Sequence, residues 1–127
     1  MLTKAIRPPG IYPPIGPYAQ AIEATGTARL LFISGTMGLA PDSSLPSGFE
    51  AQAHRVWTNI GATLAAAGMD FTNLAQLTIW LARRDDWRLG AEIRQQYLGD
   101  HQVAMSVVQA GLVHPDWLIE VDAIAVA

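Results

Sequence analysis

Residues 117–126, WLIEVDAIAV, constrain the fold most, because this apolar, β-branched run holds a carboxylate at its centre. Such a composition predicts a β-strand, and side chains alternate between the two faces of a strand. Glu120 therefore points away from the face that is purely apolar. That face carries Ile119, Val121, Ala123 and Ala125. Burying a carboxylate is costly unless it is paired or has a task, so Glu120 is the first candidate for a functional residue.

The bulk composition limits the classes of protein to consider. A chain of 127 residues, half of them hydrophobic, predicts one domain over residues 1–127. The net charge of −3 and the scattered Lys and Arg residues argue against a nucleic-acid partner. The absence of Cys excludes disulfides and thiolate metal sites and is compatible with a reducing compartment. Because no signal-peptide or membrane-spanning run is found either, we expect a cytoplasmic protein with no membrane partner.

The periodicity of apolar residues predicts the element order β-β-β-α-β-α-β-β. One helix is expected between an N-cap at Ser47 and a stop at Gly68, and the other over residues 87–98, ending near Gly99. Residues 8–17 are rich in Pro and predict a loop. The strands are expected at residues 3–6, 19–24, 28–34, 74–81, 103–108 and 117–126.

The same pattern predicts how the elements pack. The second and third strands are expected to form a hairpin around Gly26, which can supply the positive φ of a tight turn. Two helices cover only one face of a sheet of about six strands, so a partner should bury the other face. A homo-oligomer is the economical solution. If Glu120 lies on or beside that face, its pocket lies between subunits.

Three motifs resemble those of the RidA family, also called YjgF or the reactive-intermediate deaminases. Residues 15–21, IGPYAQA, resemble its IGPYSQA signature; residues 32–35, FISG, match a second motif; residues 119–125, IEVDAIA, resemble its IEIEAIA ending. The likeness spans nearly the whole chain in the right order. It implies a chorismate-mutase-like α+β fold, with a six-stranded mixed sheet and two helices on one face. It also implies a homotrimer with small-molecule clefts at the subunit boundaries.

The chain departs from the family at one position that carries chemistry. Deaminase members have a Pro-Ala-Arg-Ser tetrad on the penultimate strand, whereas residues 103–106 here are Val-Ala-Met-Ser. The resemblance implies that this Arg binds the carboxylate of an imino acid while a carboxylate on the last strand activates water. The contact between Arg and a carboxylate is worth about 1.5–3 kcal/mol, and Met105 cannot make it. The side chain of Met105 instead suits an apolar or neutral ligand.

Each candidate site residue has a structural and a functional interpretation. Glu120 is either a general base or a structural carboxylate satisfied by N–H groups or by a cation across a subunit contact. Tyr18 orients a ligand or packs beneath the Pro-rich loop, and Ser34-Gly35 binds a ligand or forms an ordinary turn. Trp87 is a pocket wall or helix-start packing. With the resemblance, the predicted catalytic residue is Glu120, and the predicted substrate-binding residues are Tyr18, Ser34, Gly35, Trp87 and Met105.

Two functions follow from these residues. The first is a cofactor-free deaminase or hydrolase acting on an imine, an enamine or a related small compound, and the alternative is a non-catalytic trimer that binds or senses a metabolite. Neither metal-ligand spacing nor a phosphate-binding loop occurs, so no metal or cofactor is expected. A cation delivered by Arg94, Arg55 or a neighbouring subunit would favour an acidic substrate. An arginine among Glu92, Gln95 and Gln96 is, however, usually on a solvated helix face, and the sequence favours that interpretation of Arg94. An apolar cleft around Met105 would favour a neutral ligand or a binding role.

Overall fold

Six strands and two helices follow one another in the predicted order within residues 2–10 and 12–127, which the computed structural model describes. The strands are β1 (Leu2–Ile6), β2 (Ala21–Thr25), β3 (Leu30–Met37), β4 (Leu74–Leu81), β5 (Ala104–Gln109) and β6 (Ile119–Val126). The helices are α1 (Phe49–Ala66) and α2 (Trp87–Leu98). Met1 and Ile11 lie outside the described residues, so the predicted loop over residues 8–17 is described at its other positions.

The strands form a mixed sheet, which together with the two helices confirms the α+β class. Four strands are hydrogen-bonded in the order β3-β6-β4-β5, with β4 and β5 parallel and the other pairs antiparallel. β1 and β2 form a separate antiparallel pair, so the six strands divide into a sheet of two and a sheet of four. A single bridge between Ala19 and Ala104 joins the segment before β2 to the edge strand β5.

The predicted hairpin around Gly26 was wrong. Gly26 has the expected positive φ of 66°, but β2 pairs with β1 whereas β3 pairs with β6. The backbone N–H groups of Ala28 and Arg29 donate to the carbonyl of Ala127, at 2.9 and 2.8 Å, and thereby direct the chain to the end of β6. A glycine specifies the conformation of a turn locally, but it does not choose the partner of the strand that follows.

Both helices cover the same face of the sheet because of the order of its strands. The connections β3-α1-β4 and β4-α2-β5 join parallel strands and step across the sheet in one direction, so crossovers of one hand place both helices together. Helix α1 begins after Gly48 without a side-chain cap, so Ser47 is not its N-cap, and it ends just before Gly68, where φ is 71°. The apolar face of β6 is buried in this layer, as predicted from its alternation.

The opposite face of the four-stranded sheet, here called the open face, has no helix over it in the described residues. Leu30 and Phe32 of β3 are 58% and 70% exposed there. Ile124 of β6 and Trp80 of β4 lie beside them and are half-buried. The predicted uncovered apolar face is therefore present. None of the helices in the described part of the chain is long and apolar enough to cross a membrane.

Candidate functional site

Glu120 lies on the open face, in register with Trp80 of β4 and Met37 of β3. A β-bulge between Ile33 and Thr36 displaces the intervening backbone of β3 toward it. A Cβ built on Gly35 would lie 2.1 Å from Oε2 of Glu120 and 3.0 Å from its Cδ. Only glycine leaves room for the carboxylate in this position.

The bulge also relocates the residues predicted to form a turn. Ser34 and Gly35 lie inside β3, with strand pairing on both sides of them, rather than at its end. The hydroxyl of Thr36 donates to the carbonyl of Ser34 at 2.9 Å and helps to hold the bulge. We call Glu120, Ser34 and Gly35 the carboxylate cluster.

The two acidic side chains of β6 differ in their partners. Asp122 accepts a hydrogen bond of 2.9 Å from the indole Nε1 of Trp80. Among the described residues no group donates a hydrogen bond to the half-buried carboxylate of Glu120, and no cation forms an ion pair with it. Since buried polar groups are normally hydrogen-bonded, Glu120 is the carboxylate of this face that remains available to a ligand, to water or to another copy.

A cavity of about 410 Å³ lies between the loop at residues 15–18, helix α2 and strand β5. We call it the α2 cavity. It brings together three of the predicted substrate-binding residues, Tyr18, Trp87 and Met105, and includes all four residues of the IGPY part of the first motif. Its lining consists of Ile15, Gly16, Pro17, Tyr18, Trp87, Ala91, Arg94, Met105 and Val107.

The carboxylate cluster is not part of this cavity within one chain. Met105 pairs with Leu77, which is buried beneath the helices, whereas Glu120 pairs with Trp80 on the open face. Paired residues on neighbouring strands share a face of the sheet, so Met105 and Glu120 lie on opposite faces. The structure therefore divides the predicted site residues into two groups, and a single copy does not bring them together.

Tyr18 and Trp87 occupy different parts of the cavity. The Tyr18 hydroxyl accepts a hydrogen bond of 3.3 Å from the backbone N–H of Ile15, so the ring folds back over its own loop while also lining the cavity. Trp87, at the first turn of α2, is 52% exposed and forms the rim. Packing and ligand contact are therefore compatible roles for both aromatic side chains.

Arg94 is the residue that the sequence placed wrongly when it was assigned to a solvated helix face. It is only 6% exposed and lines the α2 cavity with Met105. Trp87, Ala91 and Arg94 are spaced by four and three residues and therefore form one stripe along α2. That spacing is the signal that identifies Arg94 once Trp87 is taken as a pocket residue. Arg55, the other cation considered, lies on α1 and is not among the described lining residues.

In the part of the chain that the structure describes, Arg94 is mostly buried, but its guanidinium nitrogens are not among the fully enclosed atoms without a partner. It makes no hydrogen bond or ion pair there, and burial lowers the pKa of Arg94 below its ordinary value. An arginine nevertheless remains charged near neutral pH. The α2 cavity thus combines a mainly apolar lining with one cationic side chain.

The histidines have other contacts. His54 Nδ1 lies 2.7 Å from the Tyr97 hydroxyl, and His101 Nε2 lies 2.7 Å from the Leu74 carbonyl. In residues 2–10 and 12–127, no three His, Asp or Glu side chains come close enough to hold a metal ion.

Comparisons with known proteins agree with this fold. A family model described as Endoribonuclease L-PSP matches residues 11–127. A crystal structure of a protein of the conserved Rid family from Yersinia pestis superposes with a TM-score of 0.86 at 27% identity, covering 100% of both chains. The chain belongs to the RidA (YjgF) family. The resemblance drawn from its three motifs is thereby confirmed.

Two further proteins show the range of this RidA-family similarity. The 2-iminobutanoate/2-iminopropanoate deaminase of Bos taurus is 36% identical over 114 residues, which cover 88% of this chain and 81% of that protein. The structure of Escherichia coli TdcF with bound serine has 27% identity and a TM-score of 0.72, covering 98% of both chains. The family thus includes relatives named as imine deaminases.

Proposed function

We propose that this RidA-family protein hydrolyses the C=N bond of a small imine, or of an enamine through its imine form, without a cofactor. The observation that carries the proposal is the carboxylate of Glu120, which Gly35 admits to the open face and which lacks a partner among the described residues. A carboxylate in this condition is suited to take a proton from water. The deaminase names of several relatives support the same reaction.

The reaction balances with water as the only co-reactant. Glu120 removes a proton from water while the oxygen attacks the imine carbon, the C=N electron pair moves to nitrogen, and Glu120 passes the proton to that nitrogen. In the resulting carbinolamine, Glu120 takes the hydroxyl proton as the carbonyl forms and the C–N bond breaks. Glu120 delivers this second proton to the nitrogen, which leaves as ammonia. The imine and one water thus become a carbonyl compound and ammonia, with Glu120 unchanged.

The complete site in this proposal forms between copies of the chain. Leu30 and Phe32 leave an apolar surface beside the carboxylate cluster, and a second copy is the economical cover for it. If a second copy packs on this surface with the edge of its α2 cavity, its cavity and the carboxylate cluster of the first copy form one cleft. Tyr18, Trp87 and Met105 then bind the substrate, and a closed trimer, as the family resemblance implies, holds three such clefts.

Met105 gives this member a substrate range different from that of deaminases with Arg at this position. Met105 and Val107 form an apolar wall, which favours an aliphatic or uncharged group of the substrate on this side. The same wall favours a second candidate function, a trimer that binds or senses a metabolite without converting it. A nuclease activity, which the family model's description names, is not favoured by the net charge of −3.

The test is Glu120→Gln, which keeps the shape of the side chain but cannot take up a proton. An amino-acid oxidase generates the imine, a trapping reagent reports its disappearance, and light scattering and thermal denaturation report assembly and stability. We expect the variant to keep its mass and unfolding midpoint and to lose turnover.

Asp122→Asn is the matched control, since its amide oxygen still accepts from Trp80 on the same face. This control should keep the native rate. A Glu120→Gln protein that hydrolyses imines normally but dissociates or melts earlier would assign Glu120 a structural role. A native protein that binds 2-oxo acids but hydrolyses none of the imines would instead support the binding protein.

A further inference from the structure

We propose that Arg94 is the anion-binding residue of the α2 cavity and that the substrate carries a single carboxylate there. The inference deepens the proposed function, on which it rests in taking the α2 cavity as part of the substrate cleft. The substrate class, 2-imino acids, is the one that the names of the relatives print, and the inference adds the residue that binds their carboxylate in this chain, where Met105 cannot.

Arg94 is a mostly buried cation beside an open cavity. Arg94 is 6% exposed, yet within the described residues its guanidinium has no carboxylate or carbonyl acceptor. A cation removed from water is unfavourable unless acceptors replace the lost hydration. The cavity is the side from which an acceptor can reach it, so an entering anion relieves this unfavourable state and gains binding free energy.

The α2 cavity has a cationic side and an apolar side. Arg94 shares the helical stripe of α2 with Trp87 at the rim and faces a space also bounded by Tyr18. On the β5 side the lining is Met105 and Val107, which are apolar. A ligand therefore meets its cation on the helix and its hydrophobic surface on the strand.

The charge, shape and volume of the α2 cavity favour a monocarboxylate over other anions. Arg94 is the only cationic side chain among the described residues that line the cavity, so one negative charge is balanced and two are not. The planar guanidinium matches a carboxylate with two parallel hydrogen bonds. A volume of about 410 Å³ with a largely apolar lining holds a small organic acid better than a hydrated inorganic anion.

The experiment measures equilibrium binding and requires no turnover. Pyruvate and 2-oxobutanoate, the carbonyl products of the simplest such imines, are titrated into native protein carrying methyl-labelled methionine, with the Met105 methyl group as the reporter. 2-Oxobutanamide is the uncharged comparison, and inorganic phosphate tests for general anion binding. We expect the oxo acids to shift the Met105 signal and to bind at least about ten-fold more tightly than the amide or phosphate, as a charge-assisted pair implies.

Arg94→Met and Arg94→Lys are compared with Arg88→Met as the matched control. Arg88 is exposed on the same helix and lies outside the described lining, so its replacement removes the same charge without touching the cavity. Arg94→Met should weaken oxo-acid binding about ten- to hundred-fold, Arg94→Lys less, and Arg88→Met not at all.

The outcomes separate this inference from the proposed function. Oxo-acid binding that is unchanged in both Arg94 variants, or equal binding of acid and amide, would overturn the role of Arg94. If Arg94→Met also hydrolyses 2-imino acids with native KM, the hydrolase stands and the anion site falls. If the native protein binds oxo acids through Arg94 but hydrolyses no imine, the anion site stands and the hydrolase falls.

Discussion

Replacing Gly35 by Ala tests whether the position of the Glu120 carboxylate matters, without changing any charge. The added Cβ would lie 2.1 Å from Oε2 of Glu120, whereas ordinary contacts begin beyond 3 Å, so the carboxylate must move by about 1 Å. The atom that has to move is the end of a flexible side chain. We therefore expect a change of less than about 1 kcal/mol in the free energy of unfolding, which is below the usual cost of overpacking a rigid core.

The expected effect on catalysis is much larger. A displacement of about 1 Å in a reacting group can cost roughly a hundred-fold in rate, equivalent to about 2.7 kcal/mol of transition-state stabilisation. Gly35→Ala should consequently lower the rate of imine hydrolysis about a hundred-fold while its unfolding midpoint stays close to the native one. The substitution should thus lower the rate of hydrolysis without lowering stability by a comparable amount.

The assay is the oxidase-coupled trapping of the imine, run beside denaturant unfolding at one protein concentration, because the stability of the proposed trimer depends on concentration. Gly111→Ala is the control, since a Cβ at Gly111 meets nothing within 4 Å and its φ lies outside the left-handed region. It should leave rate and stability near native values. A Gly35→Ala protein with native rate and native stability would refute the argument that Glu120 acts from its position against Gly35.

The other two predictions concern the cavity and the open face. In a protein that already carries Arg94→Met, the further change Met105→Arg should increase oxo-acid affinity about ten-fold or more, or about 1.4 kcal/mol, because it returns one cation to the same cavity. Calorimetric titration measures the affinity, and no recovery would contradict this expectation. Phe32→Asp should dissociate the proposed trimer, since each copy then loses about 1.5–3 kcal/mol of apolar burial and gains a charge in its place. Light scattering across a dilution series measures this, with exposed Val113→Asp as the control, and an undiminished mass would show that the open face is not the interface.

Much of the fold could be predicted from the sequence because its signals are local. The 2-residue alternation of β6 identified its buried face, and the 3- to 4-residue spacing of apolar positions identified α1 and α2. β4 was predicted at Leu74–Leu81, the bounds that the structure gives. The uncovered face followed from counting layers, which requires only the number of helices and strands.

The partners of the strands could not be predicted in the same way. The pairing of β3 with β6 rather than β2, and the separation of β1 and β2 from the main sheet, depend on contacts between residues far apart in the chain. The sequence also gave no sign that a bulge would set Gly35 against Glu120, because a bulge is defined only by the partner strand.

The sequence by itself determined the candidate residues, and the tertiary structure decided which of them meet. Motif likeness pointed to Tyr18 and Glu120 equally, but strand register places Met105 and Glu120 on opposite faces of the sheet, so one copy divides the site. The position of Arg94 could likewise be predicted only in part. The helical spacing places it on the same side of α2 as Trp87 and Ala91, but it does not predict which segments pack against that side. Its burial arises where the loop at residues 15–18 and strand β5 close over α2, and only the three-dimensional arrangement brings those segments together.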